Sequence, residues 1–390
     1  MPEKIKHFPV NWIDGMKINK NHFLAMQENT DEAVKEAVSS QLTSINYGLL
    51  PINGNSNSIK MNLIVDNHKL LKVKIDECHA ITPSGNRIEI DREIDNNLDS
   101  SLVYPEAVHT IISGEKIGLL ACISVNSKKR IPFGELDPDE NPPRYPYTQP
   151  EYLLHLIPEE NIKNNGLGNS FLTVGRIIVS ESETSIDDSY IPPSTTVSSH
   201  LSLLEDFNDL DKFLGQIEIY ANQISQKINS KSQNNNILSQ LLDVICDKTL
   251  TFLGQEINVF RWFMPNRPPA YMYNSIISLA RILKNYIDSR SGSGKEELLN
   301  YFSEWCNISQ GDFEVLFNDT INSGYNHNHI DATSAQVFKF TQTIQELFSI
   351  LTRLDYIGKR KDGSIYVTEI TDENQKIVTN ARRNRTFIND

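Results

Sequence analysis

No apolar run in the 390-residue chain approaches the ~20 residues that a helix needs to span a bilayer. Met1 to Asp14 contains no apolar core of the kind that drives secretion, so a cytoplasmic chain without direct membrane insertion is expected. Positive charge is scarce: 37 Lys and Arg stand against 50 Asp and Glu, a formal net charge of −13. That balance argues against nucleic acid as the main partner, because binding it requires cations that displace phosphate counterions. Cysteine is scarce as well. Cys78, Cys122, Cys246 and Cys306 lie far apart and show no Cys-x-x-Cys or Cys/His metal spacing. They sit mostly in apolar stretches such as "GLLACISV", which predicts buried, reduced thiols. From Val10 to Glu28 no nucleophile stands beside a base, and "TPSGNR" and "SRSGSGK" lack the spacing of a phosphate-binding loop. The chain therefore offers no catalytic set, and no cofactor is implied.

What is present is ordinary for folded domains, with 39% hydrophobic and 22% charged residues. The length predicts two or three domains. The first half reads as short strands: "IKMNLIVD", "KLLKVKID", "RIEID" after the turn Ser84-Gly85-Asn86, "IGLLACISVN", "EYLLHLIP" and "FLTVGRIIVS". Strands without alternating helices point to a β-sandwich. The proline-rich stretch from Arg130 to Tyr152 reads as a surface loop or a polyproline ligand. Asp187 and Asp188, before "SYIPP", read as turn residues.

From Leu203 the period changes. Leu203, Phe207, Leu210, Leu214, Ile217, Ala221, Ile224 and Ile228 form a heptad seam, which must find another helix and is expected to join copies of the chain. "NSKSQNNN" interrupts it, and several apolar helices follow, one opened by the prolines of "RPPAYMYNSIISLARILKNYID". An Asp362-Gly363 turn near the end predicts a hairpin. Its basic neighbours, Lys359, Arg360 and Lys361, with Arg382, Arg383 and Arg385, fit a winged-helix wing or a solvated hairpin. The expected architecture is α+β multidomain: a β-sandwich with an N-terminal helix (1–198), a helical bundle (199–352) and a short hairpin tail (353–390).

Only "GYNHNHIDATS" gathers potential ligands. His327, His329 and Asp331, with Tyr325, suit a metal-dependent enzyme. A polar lead-in, with Asp331 or Thr333 capping the next helix, suits the same residues.

The opening stretch "NWIDGMKINKNHFLAMQE" resembles the amino-terminal pattern of the TssK family, baseplate subunits of the bacterial type VI secretion system. Trp12, Asp14, Gly15, Met16, His22 and Phe23 match that pattern, and Leu24 replaces its usual Gln. "SIDDSYIPPSTTVSSHLSLLEDFNDL" resembles the family's Ile-Pro-Pro passage into its helical neck. "RPPAYMYNSIISLARILKNYID" is similar to its Leu-Ala helix, and "YNHNHIDATSAQVFKFTQTIQELFSIL" more loosely to its Tyr-x-His segment. The resemblance spans from about residue 10 to about 352. It implies a phage-like contractile injection apparatus and a structural protein without catalysis. It also implies a homotrimer with a shoulder like that of phage receptor-binding proteins, and a helical neck. The N-terminal residues would dock on the wedge subunits TssF and TssG at the cytoplasmic face of the inner membrane. A carboxy-terminal head would reach the membrane-anchor complex, but here only the tail 353–390 follows the neck, a departure from the family. An independent phage-like receptor-binding module would share the sandwich and the trimer.

Physical chemistry gives the opening a shape. Gly15 permits a turn closed to residues with a Cβ, and Asn19 or Asn21 is placed to cap a helix presenting Phe23, Met26, Thr30, Ala33, Val34, Ala37 and Val38 on one side. Trp12 and Met16 either face a partner or fill the sandwich core.

Overall fold

The computed structural model describes residues 5–51, 58–91, 104–112, 116–165, 168–180, 184–230, 237–290, 293–306 and 309–354. The chain divides into two units. The first comprises Met1–Leu204 with the short returns Pro265–Ala270 and Tyr325–Asp331; the second comprises Glu205–Met264, Tyr271–Gly324 and the chain from Ala332 onward. The expected hairpin at Asp362-Gly363 and the basic residues around it lie outside the described residues.

The first unit holds two antiparallel sheets, as its strand-rich sequence predicts. In one, β3 (Leu70–Ile81) is flanked by β1 (Gly48–Leu49), β2 (Ile59–Val65), β4 (Arg87–Asp91) and β5 (Glu106–Thr110). β3 buries Leu71, Val73 and Ile75, then Cys78 and Ala80, so its alternation slips by one residue. Pairing with β2 steps from Met61–Ile75 to Lys60–Glu77, leaving Asp76 as the extra residue of a bulge. The bulge turns both apolar halves of β3 to the same core. The second sheet has the order β7-β6-β8-β9, built from β6 (Ile117–Phe133), β7 (Tyr147–Pro158), β8 (Phe171–Val179) and β9 (Thr184–Ile186). Leu119, Ala121, Ile123, Leu172 and Ile177 of this sheet share one buried cluster with the apolar residues of β3.

One expectation is corrected here. The proline-rich stretch from Arg130 to Tyr152 is strand at both ends, where pairing of β6 with β7 runs out to Phe133–Tyr147, and a loop over 134–146, crossed by the Asp137–Arg144 bridge. Pro150 pairs opposite Arg130, and it is tolerated because β7 is an edge strand, where a missing N–H removes no ladder bond.

Gly48 sets where β1 meets the Ile-Pro-Pro passage. At φ +113°, a Cβ there would overlap the carbonyl group of Pro193. That close approach lets Leu49 N–H donate to Pro193 O at 2.8 Å and Thr195 N–H to Leu49 O at 2.9 Å.

The second unit is helical. α1 (Lys20–Ser39) and the short α2 (Glu159–Asn165) belong to the first unit; α3 (Leu201–Ser230) leads into the second, which continues with α4 (Ile237–Phe263), α5 (Pro269–Asp288), α6 (Ser293–Cys306), α7 (Gln310–Asn322) and α8 (Ile330–Arg353). α5 opens on proline, where the absent N–H has no helical acceptor to miss.

The heptad seam of α3 is real, but its partners are in the same chain. Leu203, Leu210, Leu214, Ile217, Ala221, Ile224 and Ile228 are all buried, and Phe207 stacks on Phe260 of α4 with ring centroids 5.3 Å apart. Asp206 binds α3 to α5 and α8: its Oδ2 accepts from Tyr273 Oη and Ser334 Oγ, each at 2.6 Å. Further along α3, Ser225 donates to Asp243 of α4, and Lys227 Nζ donates to the carbonyls of Thr352, at 2.6 Å, and Leu354. Apart from the half-buried Phe207, these seam side chains have no surface left to give another copy. The expected interchain interface at these positions is corrected to an intrachain one, because the seam side chains other than Phe207 are already buried within the single chain and Phe207 packs on α4.

Cys78, Cys122 and Cys246 are buried free thiols, and burial pushes Cys122 and Cys246 up to about 12 and Cys78 higher still. The side chain of Cys306 lies outside those described.

Candidate docking surface

The N-terminal arm, residues 5–39, is built from local signals. Met16 N–H closes a turn onto Ile13 O at 3.2 Å, with Gly15 at φ +81° in the third position, where a type II turn demands a left-handed residue. Asn19 caps α1, its Oδ1 accepting from Asn21 N–H at 3.0 Å. His22 completes the cap from inside the first turn, its Nδ1 accepting from Asn19 N–H at 3.2 Å. The turn and cap bring Trp12 back over the helix start, with ring centroids 6.0 Å from His22 and 6.5 Å from Phe23.

This cluster faces outward. Trp12 is 46% exposed, Phe23 54% and Phe8 72%, and α1 contains no buried residue. Ile13, Ile18, Leu24, Met26 and Val34 add exposed apolar surface. Trp12 therefore does not fill the sandwich core, and Met16 is half-buried. The six motif residues divide by role. Gly15 and His22 shape the arm, Asp14 occupies the second position of its turn, and Trp12, Phe23 and part of Met16 form its apolar surface. The capping role of His22 is legible only as a third-position acceptor after Asn19. Phe8, Ile13, Ile18 and Leu24 carry no sequence signal that separates them from core residues. An exposed aromatic and aliphatic patch of this kind is the composition of a binding hot spot.

The second candidate, Tyr325 to Asp331, returns to the first unit and is spent on structure. His327 is 3% exposed, and its Nε2 donates to Tyr47 O at 2.8 Å while its Nδ1 accepts from Tyr325 Oη at 2.8 Å. Both ring nitrogens are occupied, and burial pushes the imidazole down to about 4. Asn328 accepts from Tyr47 Oη at 3.2 Å through its side chain and from Tyr190 Oη at 3.0 Å through its backbone. Asp331 does not cap α8; it accepts from Arg176 Nη2 at 3.0 Å, while Arg176 Nε donates to Asp187 at 2.7 Å. Thr333 lies within α8, not at its start. The metal reading of His327, His329 and Asp331 is thus corrected: His327 has no lone pair to offer, and Asp331 is committed to a guanidinium. Among the described residues no group of three His, Cys, Asp or Glu is placed to hold a metal ion. Asp187 does serve a turn, accepting from Ser189 N–H at 3.0 Å, in addition to its ion pair.

No protein-family model and no curated protein matches this chain. Solved structures do. A crystal structure of TssK aligns with a TM-score of 0.52 over 88% of this chain and 70% of that one, at 13% identity. The chain has a TssK-like fold. A chain from the baseplate complex of the type VI secretion system aligns with a TM-score of 0.51, covering 88% of this chain and 100% of its own, again at 13% identity. At that identity the likeness is one of fold: an N-terminal β-sheet domain followed by a helical region.

Proposed function

We propose that this chain is a structural subunit of a type VI secretion baseplate, acting as a trimeric adaptor on the cytoplasmic side and carrying out no reaction. The observation that supports it most is the coincidence of two independent features. The fold is similar to TssK across 88% of the chain, and the Trp12-to-Phe23 stretch that resembles the TssK family in sequence forms an exposed aromatic cluster. A protein whose motif residues build a turn, a cap and an apolar surface is organised for binding. The partners assigned to that arm are the wedge subunits TssF and TssG. Trimer contacts fall to surfaces other than the α3 seam.

Co-expression of the tagged full chain with TssF and TssG tests the reading. Co-purification of both subunits, together with a scattering mass three times the 44.4 kDa of one chain, is the expected result. A monomer at micromolar concentration that retains neither subunit would defeat it.

A further inference from the structure

α1 buries none of its residues in its own chain, so it lacks the packed face from which most helices in proteins draw their stability. What keeps the arm in one shape is a set of polar contacts near its middle. The Glu32 carboxylate reaches back to the start of the chain: Oε1 and Oε2 accept from Lys6 N–H at 2.9 and 3.1 Å, and Oε2 accepts from His7 N–H at 2.7 Å, across 26 and 25 positions of sequence. One turn earlier, Asn29 Nδ2 donates to His7 O at 2.9 Å, and His7 Nδ1 lies 3.1 Å from Glu28 Oε2. Residues 6 and 7 are thus held on one side of the helix by groups at positions 28, 29 and 32, neighbours at helical spacing. The segment between them, which carries Phe8, Trp12 and the Gly15 turn, is tethered at both ends: by this clip at one and by the Asn19–His22 cap at the other.

We infer that Glu32 is a positioning residue for docking, a carboxylate clip that closes residues 5–19 into a preformed strap along α1 and so presents Trp12 and Phe23 in their binding arrangement before a partner arrives. The inference rests on the wedge-docking reading above. Two backbone N–H donors on one carboxylate are charge-assisted bonds, and they hold the Glu32 carboxyl below the usual carboxylate range. A strap ordered beforehand does not lose its conformational freedom at the moment of binding, which is the general source of affinity through preorganisation. Glu32 itself need not touch the partner.

Hydrogen exchange and capture by immobilised TssF–TssG, both on the full chain, test this together. The amides of Lys6 and His7 are expected to be protected, and in Glu32→Ala their exchange is expected to rise while capture falls about tenfold, the ordering cost of roughly one residue's backbone. Glu32→Gln keeps one acceptor oxygen and should lie between the two, and Asn29→Ala should reproduce the direction. Trp12→Ala should lose capture with exchange at Lys6 and His7 unchanged. Faster exchange in Glu32→Ala with undiminished capture would overturn the positioning role while leaving the docking reading intact. Unprotected Lys6 and His7 amides in the native chain would overturn the clip. A native chain that captures no TssF–TssG, with exchange still responding to Glu32→Ala, would overturn the docking reading and with it the role assigned to Glu32.

Discussion

His327 donates from Nε2 to the carbonyl oxygen of Tyr47 at 2.8 Å, across 280 positions of sequence. A carbonyl only accepts, so Nε2 carries the hydrogen and Nδ1 is left to accept from Tyr325 Oη. The ring is therefore needed neutral, and its burial enforces that. The arrangement fastens the return Tyr325–Asp331 to β1's neighbour Tyr47 within the first unit and occupies both nitrogens of the most ligand-like residue in "GYNHNHIDATS".

Acid should loosen the first unit. Burial pushes both His327 and His200 down to about 4, from the ordinary 6.5. Between those values the unfolded chain binds protons that the folded chain refuses, so stability is complete above about pH 6.5 and declines as pH falls toward 4. Each histidine adds up to about 1.4 kcal/mol per pH unit to that decline. Urea midpoints at pH 7 and pH 5 should differ accordingly, and His327→Gln, which retains a donor for Tyr47 O, should reduce the difference by about half, leaving the part due to His200. Equal midpoints would show that neither imidazole is held neutral.

Gly48→Ala should be among the most damaging single-methyl changes in the chain. The residue sits at φ +113°, and its missing Cβ is replaced in space by the Pro193 carbonyl. The substitution adds backbone strain and a clash with main chain that cannot swing away, roughly 3 kcal/mol or more together. Chemical denaturation measures it; a loss below about 1 kcal/mol would mean that β1 and the Ile-Pro-Pro passage separate easily.

Leu214→Ala separates the intrachain from the interchain use of the α3 seam. Leu214 is fully buried, so truncation should cost about 2 to 5 kcal/mol of stability. The mass of the folded fraction, measured by light scattering, should not change. A lower mass without loss of stability would return the seam to the surface between copies.

Trp12→Ala should behave in the opposite way. A half-exposed ring laid over the start of a helix that buries nothing contributes little to folding, so stability should shift by no more than about 0.5 kcal/mol. Co-purification with TssF and TssG should fall sharply. A large drop in melting temperature would place the indole in a core.

Much of this fold is legible in the residues themselves, and where it is not the reason is physical. The 3.6-residue and two-residue periods identify helices and strands because burial of one face is a local pattern. Asn19 before α1, Gly15 in its turn and Pro269 opening α5 are equally local, each answering a backbone demand within four residues. The extent of β6 and β7 is not legible, because Pro150 reads as a breaker until the strand is known to lie on an edge. Glu32 carries no signal of its own, since a glutamate at that position is also an ordinary surface residue.

Sequence alone, then, determined that the chain holds a strand-rich part and a helical part, that α3 carries an unbroken apolar stripe, and that its opening stretch turns and starts a helix. Only tertiary structure decided what each surface meets: the stripe of α3 is covered by helices of the same chain, His327 is sealed against Tyr47, and Trp12 and Phe23 stay in solvent. The reason is that periodicity records which side chains must leave water, whereas the group that covers them is set by contacts between distant positions.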